Sequence, residues 1–379
     1  MKRILTIIGA RPQIIKSAAL SRAVREAQAH DIEECLLHTG QHYDANMSGA
    51  FFTELGIPMP DYQLGVGSGS HGAQTARMIA GIEEVLSQQP FDGVVVYGDT
   101  NSTLAGAVAA AKLHVPVFHV EAGLRSFNMA MPEEQNRIVC DHLSSICFAP
   151  TATAVENLRR EGLMDVKVSF AGGKDRRVVL SGDVMYDNSL YYATQAAARC
   201  DVMQRLGLEQ QRFVLVTIHR DYNTDDPCRL TAIFKALLEI AGRGDVELVV
   251  PLHPRTRALL DKNLAAEVLK QLRQTDAIRL MAPVSFFEMI ELERHAQVVM
   301  TDSGGVQKEA FFYERPCVIL RSETEWTELV EHGAALVANA DCEGIVAAYD
   351  TLKSHEVKFP PLFGDGHAAE HILEEIRNY

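Results

Sequence analysis

Short apolar runs alternate with longer amphipathic stretches through nearly the whole chain, and this rhythm constrains the fold more than any other feature. Residues 4–8, 34–37, 94–97, 115–120 and 146–148 have the length and apolar character of buried strands. Helical patterns lie between them, as at 12–27, 102–113 and 151–161. The rhythm then restarts. Strand candidates follow at 213–217, 247–250, 278–281, 298–300 and 317–320, with a helix at 229–241 after the turn-forming run 223–227. Strands alternating with helices predict parallel sheets covered on both faces. A length of 379 residues suits two such domains. The Gly-rich, charged passage 171–187 is the natural boundary. Two α/β halves leave a crevice between them, a favoured place for a small-molecule site.

Composition narrows the function. Hydrophobic residues make up 47% and charged residues 23%, as in ordinary soluble globular proteins. No apolar run approaches the roughly 20 residues of a membrane span. The N-terminal apolar run reads as a buried strand rather than a signal peptide, because Arg11 and Lys16 follow it without a small-residue cleavage site. The 7 cysteines are scattered with no CxxC pair, which suggests neither a zinc site nor a disulfide framework. A cytoplasmic location is the default expectation. The net charge of -14 argues against a nucleic-acid partner, since phosphate backbones need a basic face. An anionic small molecule would need a local cluster of donors.

Acidic residues gather where such folds place their ligands. The run His119-Val120-Glu121-Ala122-Gly123-Leu124-Arg125 lies at and beyond the end of one strand, and Pro132-Glu133-Glu134-Gln135-Asn136-Arg137 soon follows. The strand before it ends in Gly98-Asp99-Thr100. In open parallel sheets ligands bind outside the carboxyl ends of strands. Asp99, Glu121 and Glu133 are therefore expected to converge on one cleft. Their repulsion would favour a proton on at least one of them, which suits acid/base work near neutral pH.

Donor-rich turns supply the complementary charge. Gly9-Ala10-Arg11-Pro12 follows the first strand and opens a helix that carries Lys16. A helix start of this kind either binds an anion or is simply solvated. Ser303-Gly304-Gly305 offers backbone and hydroxyl to a phosphate, and Glu309, one turn later, suits ribose hydroxyls. The alternative is a plain strand-to-helix turn. His219-Arg220 ends another strand and could meet a diphosphate, with His253-Pro254-Arg255 a weaker parallel. Residues 39–44 either line the cleft or turn the chain. Phe286 and Phe287 read as core, and the basic residues of 172–177 as a solvated loop. Neither a GxGxxG fingerprint nor a Walker A loop is present.

Taken together, these motifs resemble the non-hydrolysing UDP-N-acetylglucosamine 2-epimerases along nearly the whole length. The matching pieces are Gly9 to Pro12, Gly40-Gln41-His42, Gly98 to Thr103, His119 to Arg125, Pro132 to Arg137, His219-Arg220, Ser303-Gly304-Gly305 with Glu309, and Gly364-Asp365-Gly366 with Ala368-Ala369. The resemblance implies an α/β, GT-B-like pair of Rossmann-type parallel-sheet domains with an interdomain cleft. Their expected extents are 1–175 and 176–362, with a C-terminal helix, 363–379, packing back on the first domain. It further implies that Asp99, Glu121 and Glu133 do acid/base work on the sugar. Arg11, Lys16 and His219 would lie near the diphosphate, with His219 counted among the catalytic groups and Arg220 among those that bind the UDP-sugar; Ser303, Gly304 and Gly305 would form the phosphate loop, and Glu309 would hold the ribose. Arg137 matches a cleft arginine. No cofactor or metal is implied, and a homodimer is. Gln13 departs from the Glu common after Arg-Pro, and Asp221-Tyr222-Asn223 departs from the x-Glu-Asn common after His-Arg. Residues 126–131 and 182–185 look like a branch that includes epimerases of UDP-2,3-diacetamido-2,3-dideoxyglucuronic acid.

The C2–H of such a sugar has no adjacent carbonyl to acidify it, so direct deprotonation is implausible. The family route is elimination: UDP leaves C1 as the C2 proton is removed, and both return to the glycal with the proton on the other face. A GT-B glycosyltransferase and a non-catalytic UDP-sugar sensor are the rivals. The first needs an acceptor, and the second gains little from crowding acids around a neutral sugar.

Overall fold

The structure is a computed structural model that describes residues 1–26, 31–41, 52, 55–164, 174–210 and 212–379. His42, Tyr43 and Asp44 of the cleft-or-turn motif, and Gly172 and Gly173 of the basic loop, lie outside the described residues.

The chain divides into two compact units, Met1–Asn188 with Pro361–Tyr379, and Ser189–Pro360. In the first, β1 (Lys2–Ile8), β2 (Ile32–His38), β3 (Tyr62–Gln63), β4 (Gly93–Tyr97), β5 (Val117–Val120), β6 (Ile146–Ala149) and β7 (Arg177–Leu180) form a sheet of order β3-β2-β1-β4-β5-β6-β7. In the second, β8 (Phe213–Thr217), β9 (Glu247–Pro251), β10 (Ile278–Met281), β11 (Val298–Thr301), β12 (Cys317–Ile319) and β13 (Ala335–Val337) form a sheet of order β10-β9-β8-β11-β12-β13. Every strand pair is parallel. These are the two parallel sheets that the alternating pattern predicts, in the Rossmann-type arrangement that the resemblance implies.

Strands covered on both faces need apolar side chains at every position. β4 and β8 come close to it: all five residues of each are buried, and only Gly93 and Thr217 lack an apolar side chain. Leu5, Ile7, Val94, Val96 and Val117 pack with Met78 and Ile82 of the helix His71–Gln88 in the first core. Val214, Val216, Leu248, Val250 and Met300 pack with Ile233, Leu237 and Ile240 of the helix Pro227–Ala241 in the second. Side-chain N-caps start several helices. Thr100 caps Asn101–Lys112, Asp226 caps Pro227–Ala241, and Ser303 caps Gly304–Phe312. Each satisfies an otherwise orphaned backbone N–H.

Some elements escape the pattern. β3, β7 and β13 are short, and each carries a partly or fully exposed position, so their apolar signal is weak. Asp221–Thr224 makes a helical turn that reaches into the run 223–227 expected to be a loop, and the next helix begins at Pro227 rather than at residue 229. The basic residues near 175 are not simply solvated. Arg177 is ion-paired with Glu375, Lys174 lies over the Tyr379 ring, and Arg176 donates to the Ser144 carbonyl at 3.2 Å. They tie the C-terminal helix Ala368–Asn378 and the end of the helix Pro132–Leu143 to this unit. Among the described residues no helix is long and apolar enough to cross a membrane.

Candidate active site

Sheet order determines which strand ends become neighbours. In the first unit the order reverses between β1 and β4, with β5 alongside β4. The turns after these strands carry Gly9 to Lys16, Gly98-Asp99 and Glu121, at a topological switch point. Lys16, on the helix Arg11–Glu26, is ion-paired with Glu121, and both are largely buried. Gly98 lies against this pair. Its φ of 62° places it in the left-handed region, and a Cβ there would lie 3.0 Å from Glu121 Oε2 and 3.1 Å from Lys16 Nζ. Glu121 itself has a φ of 69°, costly for a residue with a side chain.

Asp99 has a cation of its own. Arg137 donates from Nη2 to Asp99 Oδ2 at 2.6 Å and from Nη1 to Glu134 Oε2 at 2.8 Å. Glu134 also accepts the Ser126 and Phe127 N–H groups, each at 2.9 Å. Burial alone would favour its acid form. The Ser126 N–H, then Arg137 and the Phe127 N–H, outweigh burial and hold Glu134 below the ordinary carboxylate range. Asn136 anchors the Asp99 carbonyl at 2.8 Å. Two of the three expected acids thus meet a cation of their own. Glu133 sits partly exposed in the first turn of Pro132–Leu143, and no described hydrogen bond or ion pair links it to Asp99 or Glu121.

Arg11 opens its helix and is exposed, whereas Lys16 turns to Glu121. Gln13, legible in the sequence only as a departure from the family, is buried and uses its whole amide. Its Oε1 accepts from Gly9 N at 2.9 Å and Ala10 N at 3.2 Å, while its Nε2 donates to Tyr97 O and Thr103 Oγ1, both at 3.0 Å. A carboxylate could not make the last two bonds. Gln41 accepts from Ser102 N and Oγ, at 3.0 and 2.7 Å.

In the second unit the switch point lies between β8 and β11. His219-Arg220 follows β8, and Ser303-Gly304-Gly305 follows β11. Between them Asp302, fully buried, accepts from His219 N at 3.1 Å, Arg220 N at 3.1 Å and Asn223 Nδ2 at 3.0 Å, and faces His219 Nδ1 at 3.3 Å. Burial pushes the His219 imidazole below its usual value, with Asp302 opposing. Asp302 carried no role in the sequence reading. Its position beside the Gly pair was the available signal. Asn223, within the second departure, also donates to Leu320 O at 2.9 Å. At Gly304 a Cβ would fall 2.2 Å from Glu325 Oε1, whereas Gly305 is exposed and open. Glu309 lies one turn into the helix, half-buried.

Two weaker candidates have local roles. His253 caps the helix Pro254–Asn263, and Arg255 pairs with Asp221 at 2.5 Å and Asp225 at 2.6 Å. Phe286 and Phe287 are half-buried against Tyr192, with ring centroids 5.3 and 6.3 Å away.

Comparison with known proteins gives a consistent picture. Residues 25–377 match the family model of the UDP-N-acetylglucosamine 2-epimerases. The chain is 48% identical over 377 residues to the UDP-2,3-diacetamido-2,3-dideoxy-D-glucuronate 2-epimerase of Pseudomonas aeruginosa, covering 99% of each chain. It is 37% identical to the Methanocaldococcus jannaschii UDP-GlcNAc 2-epimerase solved in complex with UDP-GlcNAc and UDP, with a TM-score of 0.85 and 100% of each chain covered. The Neisseria meningitidis UDP-GlcNAc 2-epimerase bound to UDP-GlcNAc gives 26% identity and a TM-score of 0.84, again covering 100% of each chain.

Proposed function

The chain belongs to the UDP-N-acetylglucosamine 2-epimerase family, and from that premise we propose that it is an isomerase inverting C2 of a UDP-linked 2-acetamido sugar without hydrolysis. The substrate we assign is UDP-2,3-diacetamido-2,3-dideoxyglucuronate, the sugar named for the 48% identical relative, with UDP-GlcNAc the alternative favoured by the solved relatives. The product would feed surface-polysaccharide synthesis in the cytoplasm, and the working form would be a homodimer.

The observation that carries the reading is Glu121, held in a left-handed turn at the end of β5 and paired with Lys16, with Asp99 on the neighbouring turn paired with Arg137. Two acids with unlike partners on adjacent strand ends suit removal of the C2 proton from one face and its return from the other. Glu133, on the helix that also carries Arg137, is the third acid of this set. Loss of UDP from C1 develops negative charge on the diphosphate, which needs donors aimed at its oxygens. Arg11, His219, Arg220 and the Ser303-Gly304-Gly305 helix start supply them, Lys16 tunes Glu121, and Glu309 takes the ribose hydroxyls. Electrons from the C2–H bond form the C1–C2 double bond as the C1–O bond breaks. The reverse addition restores both bonds.

Proton NMR of the purified protein with each UDP-sugar alone tests this. The expected result is conversion to the manno epimer with solvent deuterium at C2. No conversion of either sugar without an acceptor would favour a glycosyltransferase, and tight UDP-sugar binding with no exchange would favour a sensor.

A further inference from the structure

The turn that carries Glu121 is fastened on both flanks by one carboxylate outside the proposed acid/base set. Asp141, fully buried on the helix Pro132–Leu143, meets His119 Nδ1 with Oδ1 at 2.7 Å. Its Oδ2 accepts from Gly123 N at 3.1 Å and from Arg125 Nη1 at 2.7 Å. His119 lies two residues before Glu121, and Gly123 and Arg125 two and four after it. The second ring nitrogen of His119 donates to the Gly98 carbonyl at 2.8 Å, so the same network grips the Gly98 turn that lies against Lys16 and Glu121.

The remaining bonds of the network are filled from outside the site. Arg125 makes a two-pronged pair with Glu161, at 2.6 and 2.7 Å, and donates to the Leu124 carbonyl at 2.7 Å. Asn157 holds the Gly123 carbonyl at 3.0 Å. Gly123 has a φ of 80°, and a Cβ there would fall 2.4 Å from the Ala154 carbonyl oxygen. Burial by itself would push the Asp141 carboxyl up, but His119 and Arg125 hold it below the ordinary carboxylate range. A residue with a side chain keeps a left-handed backbone only where its surroundings over-determine it.

We infer that Asp141 is a positioning residue for the epimerisation: it clamps both sides of Glu121, and through His119 the Gly98 turn, and so holds Glu121 where it meets Lys16. The inference rests on Glu121 being an acid/base group. A supporting side chain of this kind acts on orientation, and a displacement of about 1 Å at a reacting group costs about 10²-fold in rate. Substrate contacts made elsewhere are untouched, so kcat should fall while KM holds.

Steady-state kinetics, UDP calorimetry and thermal melts of Asp141→Asn, His119→Asn and Glu121→Gln test it together. Asp141→Asn turns an amide N–H toward donors that the carboxylate accepted. His119→Asn keeps a donor for Asp141 and loses the one to Gly98. Expected are folded variants with kcat about 10²-fold lower for Asp141→Asn, a smaller loss for His119→Asn, and KM and UDP affinity within about twofold of the parent. Full activity in Glu121→Gln would remove the functional reading itself. An inactive Glu121→Gln beside wild-type kcat in folded Asp141→Asn and His119→Asn would overturn this inference alone. So would a rise in KM with kcat unchanged, or failure of both network variants to fold, because either outcome makes the network structural.

Discussion

Lys16 and Glu121, 105 residues apart in sequence, form an ion pair across the carboxyl ends of β1, β4 and β5. The pair sets a cation against a largely buried carboxylate. Lys16→Met takes away the charge that favours the ionised form, so a higher pH is needed to generate the base. The expected outcome is a kcat lower by about 10²–10³ and an acidic limb of the pH–rate profile displaced upward. An unmoved limb would dissociate Lys16 from the chemistry.

Asp99→Asn and Glu121→Gln preserve shape and remove proton transfer. Each should retain UDP binding, measured by calorimetry, and lose about 10²–10⁴-fold in turnover. Deuterium incorporation at C2 should fall in step. Wild-type exchange in both variants would remove the acid/base assignment.

Gly305→Ala separates ligand binding from folding. Beyond its chain neighbours and its own helix backbone, the new Cβ meets only Ser303 Oγ, at 3.8 Å, so the fold accommodates it and the melting temperature should not fall. The methyl would cover the helix start proposed for the diphosphate. UDP affinity should weaken about tenfold, or about 1.4 kcal/mol. Unchanged affinity would place the diphosphate elsewhere.

Asp187 predicts a pH dependence of stability in the first unit. It caps the C-terminal helix, accepting from Ala368 N at 3.1 Å and Ala369 N at 2.8 Å, yet burial raises its carboxyl to about 6 against those bonds. The unfolded chain titrates this group near 3.8. Between those values the folded state binds the proton more tightly. The resulting stabilisation is complete below the unfolded value and is lost as pH rises through about 6, a difference on the order of 3 kcal/mol. Melts from pH 4 to 8 should show this slope in the parent and its absence in Asp187→Asn. Equal slopes would rule the group out.

The alternation of apolar runs and amphipathic stretches was enough to predict two parallel sheets, because burial on both faces writes itself into every strand. Candidate turns were legible for a related reason, since the carboxyl ends of such strands are where ligands bind. Short edge strands such as β3 and β13 left little trace, having little apolar surface to hide. Gln13 could be noticed as a departure, but its job depends on Tyr97 and Thr103, some ninety residues away. Asp141 had no local mark at all, because its donors His119, Gly123 and Arg125 arrive from β5 and the turn after it.

By itself, then, the amino-acid order determined the architecture and the set of charged groups available to the chemistry, which follow from local periodicity and strand-end composition, while the order and spacing of its short motifs carried the family resemblance. The partner of each group was decided only in three dimensions. Lys16 was expected near the diphosphate and meets Glu121, and Arg137, expected as a cleft arginine binding the UDP-sugar, meets Asp99. The reason is physical: an ion pair depends on which strand ends the sheet order makes neighbours and on where a missing Cβ leaves room, and neither quantity is local in sequence.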